Sequence, residues 1–160
     1  MTLTPFIKGL ITAIMMIAIF LFIYFWGEKA DTRFQYLVYL VYGLGIYWAI
    51  SVYRRSDQFT GKFGDLFLQG FKCFIIVTLA MALFYAVFNY LHPEFAEESA
   101  KLYREQLITE KTKLPAEIES ETATYKKQYT LKLISSAIFG YLIIGAAVAA
   151  LISAISTRRK

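Results

Sequence analysis

The sequence predicts an all-α integral membrane protein with four transmembrane helices and an extramembrane helical hairpin between the third and the fourth helix. Four blocks without a single ionisable Asp, Glu, Lys, Arg or His predict the spans; they cover residues 9–26, 34–53, 73–91 and 133–157. About 20 residues of helix cross the roughly 30 Å hydrocarbon core of a bilayer, so each block is long enough or nearly so. Hydrophobic residues make up 58% of the chain, above the usual share of a soluble domain.

The first block follows Lys8, a pattern that a signal peptide also shows. Its apolar run is longer than the roughly 7–15 residues of a signal peptide and ends in bulky residues rather than small ones, so we expect a retained helix. Together with flanking residues, the four blocks predict a single membrane domain over 1–160. The predicted spans are about 6–26, 34–53, 66–91 and 131–156, with 92–130 as a periplasmic helical insertion.

Tyrosines run along much of the second span, at positions 36, 39, 42 and 47. They are compatible with a polar lining for a ligand path. They are also compatible with packing between helices, in which each hydroxyl bonds to a neighbouring helix. The first interpretation is the basis for one of the two functions considered below.

The stretch "FTGKFGDLFLQGFK" at residues 59–72 contains a Gly-Lys pair like that of a phosphate-binding loop. The pattern G-x-x-x-x-G-K-[ST] also requires a glycine where Ser56 stands and a hydroxyl residue where Phe63 stands, so we exclude a P-loop. Aromatic residues every four positions with cations nearby instead favour a cytoplasmic anchor at the lipid headgroups. The predicted anchor consists of Arg54, Arg55, Phe59, Lys62, Phe63, Phe67 and Lys72.

Residues 92–130 are rich in helix formers and contain no glycine. Pro115 suits the first turn of a second helix, whose far end runs into the fourth span. Such a hairpin could pack on itself or present its apolar stripes to a partner, and the sequence leaves both open. The stripes at helical spacing are Ala96, Ala100, Tyr103 and Leu107 in the first arm and Ile118, Thr122, Tyr125 and Tyr129 in the second.

Small residues recur every four positions in the fourth span. Such surfaces allow two helix backbones to approach closely. The contact could lie within the chain's own bundle or with another copy or subunit, and the pattern does not separate the two. The predicted helix-packing or partner face consists of Gly145, Ala146, Ala149, Ala150, Ser153 and Ala154.

The distribution of charge predicts an orientation. The first loop, 27–33, has no net charge, whereas the second loop at 54–62 and the C-terminal end at 158–160 are basic. Because cytoplasmic flanks carry an excess of Lys and Arg, we expect both termini and the second loop in the cytoplasm and 92–130 in the periplasm. This rule also accounts for the net charge of +5, so we expect no nucleic-acid partner.

Residues that could support catalysis are sparse. Cys73 and His92 stand at opposite ends of the third span, about 28 Å apart at 1.5 Å per residue, so they cannot form a nucleophilic pair. His92 with Glu94, Glu97 and Glu98 is weak as a metal site, since zinc sites need three or four ligands with imidazole or thiolate prominent. We therefore expect no enzyme activity, no cofactor and no metal.

The run "GKFGDLFLQGFKCFIIVTLAMALFYAVFNYLHPE" at 61–94, with the Gly70–Phe71 pair and the exit His92-Pro93-Glu94, resembles a bacterial family catalogued as domain of unknown function 4199. The resemblance extends over nearly the whole chain. It implies four spans, a long charged segment before the last of them, and the inner membrane of a Gram-negative bacterium. It implies no established activity, so no catalytic residue is carried over.

Two functions follow from these observations. The first is a non-catalytic membrane subunit or scaffold that holds a partner, another membrane protein or a second copy, in an envelope-associated complex. The second is a small oligomeric transporter or channel, which depends on the tyrosines of the second span.

Overall fold

The computed structural model describes residues 3–26, 33–111 and 113–158, and the regular secondary structure within them is entirely α-helical. Four of its five helices contain a stretch long and apolar enough to cross a membrane. The all-α class and the four long apolar helices are therefore confirmed. The helices are α1 (Pro5–Trp26), α2 (Arg33–Arg54), α3 (Phe63–Leu91), α4 (Glu94–Glu110) and α5 (Pro115–Arg158).

Two parts of the charge pattern fall outside the described residues. These are the first loop over 27–32 and the terminal pair Arg159 and Lys160. The orientation predicted from them therefore stays a prediction.

Helix α5 runs for 44 residues without a break, so the second arm of the predicted hairpin and the predicted fourth span belong to one helix. It begins at Pro115, whose missing N–H costs nothing in a first turn. The backbone N–H of Leu114 donates a 3.0 Å hydrogen bond to the Glu117 carboxylate and so caps this end. The preceding helix α4 ends where Lys111 adopts a left-handed conformation with φ of 51°.

The described residues form two compact units. The first contains α1, α2, α3 up to Met81 and α5 from Ile138 onward. Its core is mainly apolar, as the pattern of uncharged blocks predicts, although Lys8 and the hydroxyl residues Thr12, Thr78 and Ser153 are also buried. Helix α1 packs directly against α2. The largest fully buried side chains of this unit include Met16, Tyr42, Ile46, Ile50, Leu66, Val77 and Met81.

The second unit contains the end of α3 from Ala82, all of α4, and α5 as far as Ala137. Its two arms meet through buried Ala100, Leu107 and Ile118, which belong to the predicted stripes. The rings of Tyr103 and Tyr125 stack with centroids 4.4 Å apart. The arms of the hairpin thus pack against each other.

Polar contacts tie the same two arms together at the surface. The Lys126 ammonium donates a 2.7 Å hydrogen bond to the Glu97 carboxylate on α4. Near the turn, Lys113 donates to Glu121, whose carboxylate also accepts a 3.4 Å bond from the Tyr103 hydroxyl. These bonds fix the register of the arms, although exposed pairs of this kind contribute little stability each.

Candidate functional site

The small residues of α5 divide into two rows with different surroundings. Gly145, Ala149 and Ser153 are buried, the last two completely. A Cβ at Gly145 would lie 2.8 Å from the Phe74 ring and would also collide with the Tyr42 hydroxyl. This row therefore packs against α2 and α3 of the same chain.

Helix α3 has a matching small residue on the opposite side of this contact. A Cβ at Gly70 would lie 2.9 Å from the Ala149 methyl group and 3.0 Å from Ile50. Two helices whose facing positions lack bulk can bring their backbones close together. The buried row therefore packs within the chain's own bundle, as one of the two sequence-based alternatives proposes. The Ser153 hydroxyl has no hydrogen-bond partner among the described residues, so Ser153 contributes to this contact through its small size.

The second row, Ala146, Ala150 and Ala154, is only half-buried. It is the part of the predicted α5 face that retains accessible surface. A partner helix that uses this face would contact these three alanines rather than the buried row.

The tyrosines of α2 also divide between different environments. Tyr42 is fully buried, and its hydroxyl donates a 2.8 Å hydrogen bond to the Tyr141 carbonyl of α5. Tyr36 is 72% exposed and Tyr47 is 52% exposed. The tyrosines therefore do not converge on one polar surface, and Tyr42 serves as an interhelical contact.

The predicted anchor forms a line of aromatic rings along the start of α3. The Phe63 and Phe67 rings stack with centroids 5.8 Å apart, and Phe71 continues the line 6.5 Å beyond Phe67. Phe59 lies apart from this line and contacts the Tyr53 ring at the end of α2. The aromatic residues at four-residue spacing therefore lie along one side of the helix only from Phe63 onward, because α3 begins at Phe63.

The cations of the anchor lie at the end of α2, in the α2–α3 connection and in the first turns of α3. Arg55, Lys62 and Lys72 are exposed, and Arg54 is half-buried. The chain enters α3 through Gly61, whose φ of 84° suits a residue without a side chain. The Thr60 hydroxyl then donates to the Asp65 carboxylate in the first turn of α3.

A pocket of about 540 Å³ opens between the start of α1, the end of α2 and the start of α3. Sequence inspection missed it, because its walls come from three segments that are distant in the chain. The available signals were Lys8 at the edge of an uncharged block and the pair Gln69 and Lys72, which share one face of α3. The pocket is lined by Leu3, Thr4, Pro5, Lys8, Ala49, Val52, Tyr53, Ser56, Asp57, Gln58, Gln69 and Lys72.

His92 lies in the short connection between α3 and α4. Its Nδ1 is 2.7 Å from the Glu94 carboxylate, and its ring lies 4.6 Å from that of Phe88. Backbone hydrogen bonding at the start of α4, followed by the His92 contact, lowers the pKa of Glu94. Within the described residues, no three His, Cys, Asp or Glu side chains are grouped so that they could hold a metal ion.

The match to a protein-family model identifies the family to which the chain belongs. The model of the family described as "Protein of unknown function (DUF4199)" matches residues 8–158, nearly the whole chain. The chain belongs to DUF4199. The match includes the Gly70–Phe71 pair, so the resemblance that we based on 61–94 is confirmed. Neither curated proteins nor solved structures gave a match to this DUF4199 chain.

Proposed function

We propose that this DUF4199 protein is a multi-pass protein of the bacterial cytoplasmic membrane that holds a partner protein in an envelope-associated complex, without catalysis of its own. The surface of the four long helices supports the membrane location. Large apolar side chains that face outward would be unfavourable in water but suit lipid. They include Ile14, Phe22, Leu40, Leu44, Leu79, Leu83, Phe139, Ile143, Leu151 and Ile155.

The same proposal includes an orientation with both termini in the cytoplasm. The exposed cations Arg55, Lys62 and Lys72 lie at the α2–α3 connection and at the start of α3, where cytoplasmic flanks are enriched in positive charge. Since α3 and α5 would each cross the bilayer once, residues 92–130 would lie in the periplasm. Helix α5 has about twice the number of residues that a bilayer requires, which leaves room for an arm outside it.

The single observation that supports partner binding is the exposed apolar surface of the hairpin. Its arms already bury Ala100, Leu107 and Ile118 against each other. Leu102 nevertheless remains 62% exposed, and Leu114 remains 67% exposed. Leucines in this position contribute little to the folding of the hairpin, but they could be buried against another protein.

Affinity purification from native membranes in a mild detergent, followed by mass spectrometry, tests the proposal. We expect a partner to co-purify with the native chain and to be lost from a Leu102→Gln/Leu114→Gln variant. The matched control is Glu105→Gln/Glu119→Gln, which changes two other exposed positions of the same hairpin. Recovery of a second copy of the chain would identify the partner as the protein itself.

Two results would contradict this function. One is repeated recovery of the monomer alone at native expression. The other is equal recovery of every partner with the leucine double variant and its control.

A further inference from the structure

The pocket between α1, α2 and α3 is lined in part by polar and charged residues, and the formal charges of these residues do not cancel. Its volume of about 540 Å³ lies within the usual range of small-ligand sites, roughly 300–1,000 Å³. Its lining contains two lysines and one aspartate, Lys8, Lys72 and Asp57. The charged groups around it therefore leave one positive charge in excess.

Lys8 is the unusual member of this lining, because it is 3% exposed. Its ammonium lies 5.8 Å from the centroid of the Trp48 ring, a cation–π contact that compensates for part of the lost hydration. No carboxylate among the described residues pairs with Lys8 or with Lys72. A buried cation without a counter-ion is costly, so Lys8 has a strong electrostatic preference for an anion in the pocket.

The neighbouring polar groups supply further hydrogen-bond donors. Gln58 and Gln69, whose side chains carry amide groups, are among the lining residues. The Tyr53 and Ser56 hydroxyls already donate to backbone carbonyls, to that of Gln58 at 3.1 Å and that of Tyr53 at 2.7 Å, and they hold the connection after α2 in shape. Lysines together with amide donors favour a ligand with several anionic oxygen acceptors.

We propose that this pocket binds a phosphate group, with Lys8 and Lys72 as its counter-charges. A phosphate presents several acceptor oxygens and negative charge in a small volume, which matches two ammonium groups and two amides. Asp57, which is exposed, disfavours a more highly charged anion and favours a singly charged phosphodiester.

A lipid headgroup and a free phosphate compound share this chemistry. The lining also contains the apolar residues Leu3, Pro5, Ala49 and Val52. Apolar lining residues suit the glycerol and acyl carbons that adjoin a lipid phosphate. The lipid source rests on the membrane location proposed above, whereas the phosphate site itself does not.

Native mass spectrometry of the delipidated full chain in detergent, titrated with dioleoylphosphatidylglycerol, tests the proposal. We expect the Kd to rise about tenfold or more in Lys8→Gln and in Lys72→Gln, since each loses a charged hydrogen bond. Lys127→Gln is the matched control, because Lys127 is an exposed cation that belongs neither to the pocket lining nor to the predicted headgroup anchor. Its Kd should match that of the native chain. Lys72→Gln keeps the test valid if Lys8→Gln fails to fold.

Two further titrations separate the sources of the ligand. Dioleoylglycerol has the same acyl chains without the phosphate and should bind at least tenfold more weakly. Inorganic phosphate tests whether the ligand is a free phosphate compound. If it binds and the Lys72→Gln substitution weakens its binding, the phosphate site is supported and its ligand is soluble. Equal affinities for dioleoylglycerol and phosphatidylglycerol, or equal Kd values for Lys72→Gln and Lys127→Gln, would overturn the proposal. These outcomes do not depend on whether a protein partner co-purifies.

Discussion

At the scale of single residues, Tyr42 shows how a polar side chain is accommodated inside an apolar bundle. Its ring is buried against Tyr141 with centroids 5.4 Å apart, and its hydroxyl reaches the backbone carbonyl of the same residue. Without that bond, a buried hydroxyl would carry the cost of lost hydration. The sequence suggested such pairing as one alternative, but it could not distinguish Tyr42 from Tyr36, which is exposed.

We expect Tyr42→Phe to lower the free energy of unfolding by about 0.5–1.5 kcal/mol, because it removes a buried hydrogen bond and leaves the ring in place. The measurement is the unfolding midpoint of the detergent-solubilised chain in SDS titrations. Tyr36→Phe is the control and should leave the midpoint unchanged. Equal shifts for both variants would contradict the packing role of Tyr42.

At the scale of the element, the small residues of α5 form one repeated pattern in the sequence but have two different surroundings in the structure. Successive small residues differ by about 100° around a helix, so neighbouring rows face different surroundings. Ala149 is fully buried, opposite Gly70 of α3, whereas Ala150 is half-buried. The two alanines therefore allow the two roles to be tested one residue apart.

We expect Ala149→Leu to destabilise the chain by about 1–3 kcal/mol, because added methylenes overpack a closed contact. Ala150→Leu should cost less stability and should instead weaken assembly, if the half-buried row contacts a partner. SDS titration measures the first effect, and the size of the complex in a mild detergent measures the second. An Ala149→Leu variant as stable as the native chain would be inconsistent with the packing described for α5.

The hairpin offers a test of the ion pair between its arms. The hydrogen bond from Lys126 lowers the pKa of Glu97, because the pair favours the ionised carboxylate. A lowered pKa stabilises the folded hairpin above the ordinary value of 4.5, and that stabilisation is lost as the pH falls through the pKa of the folded state. We therefore expect Glu97→Gln to be less stable than the native chain at pH 7, with the difference shrinking in acid.

Thermal unfolding followed by circular dichroism at pH 7 and at pH values below 4.5 measures this difference. Glu105→Gln is the control, since Glu105 is exposed on the same helix and forms no ion pair within the described residues. The stability difference between Glu105→Gln and the native chain should not shrink in acid as the Glu97→Gln difference does. A Glu97→Gln difference that persists undiminished in acid would exclude the ion pair as its cause.

At the scale of the whole molecule, the central prediction is the orientation in the membrane. A fluorescent protein fused after Lys160 should be fluorescent, because the C-terminus is predicted to be cytoplasmic. Alkaline phosphatase inserted after Lys111, at the left-handed end of α4, should be active, because it needs the periplasm. Phosphatase activity of a fusion after Lys160 would reverse the proposed topology.

Much of this architecture could be predicted from the sequence, because long uncharged blocks have few alternatives to membrane helices. The stripes of the hairpin identified Ala100, Leu107 and Ile118, which are buried where the arms meet. The pocket could not be predicted, since the positions of Lys8, Gln58 and Lys72 relative to one another depend on how three segments pack. The start of α3 at Phe63, three residues earlier than the predicted span, depends on the local turn at Gly61.

By itself, the sequence determined the helical class of this protein, its four long apolar helices and its membership in DUF4199. These properties depend on local composition and periodicity, which a single chain displays directly. Only the tertiary structure decided that one row of small residues in α5 is closed against Gly70 and that Lys8 lines a pocket. Both depend on which face of a helix meets which neighbour, and helical periodicity leaves that choice open until the helices pack.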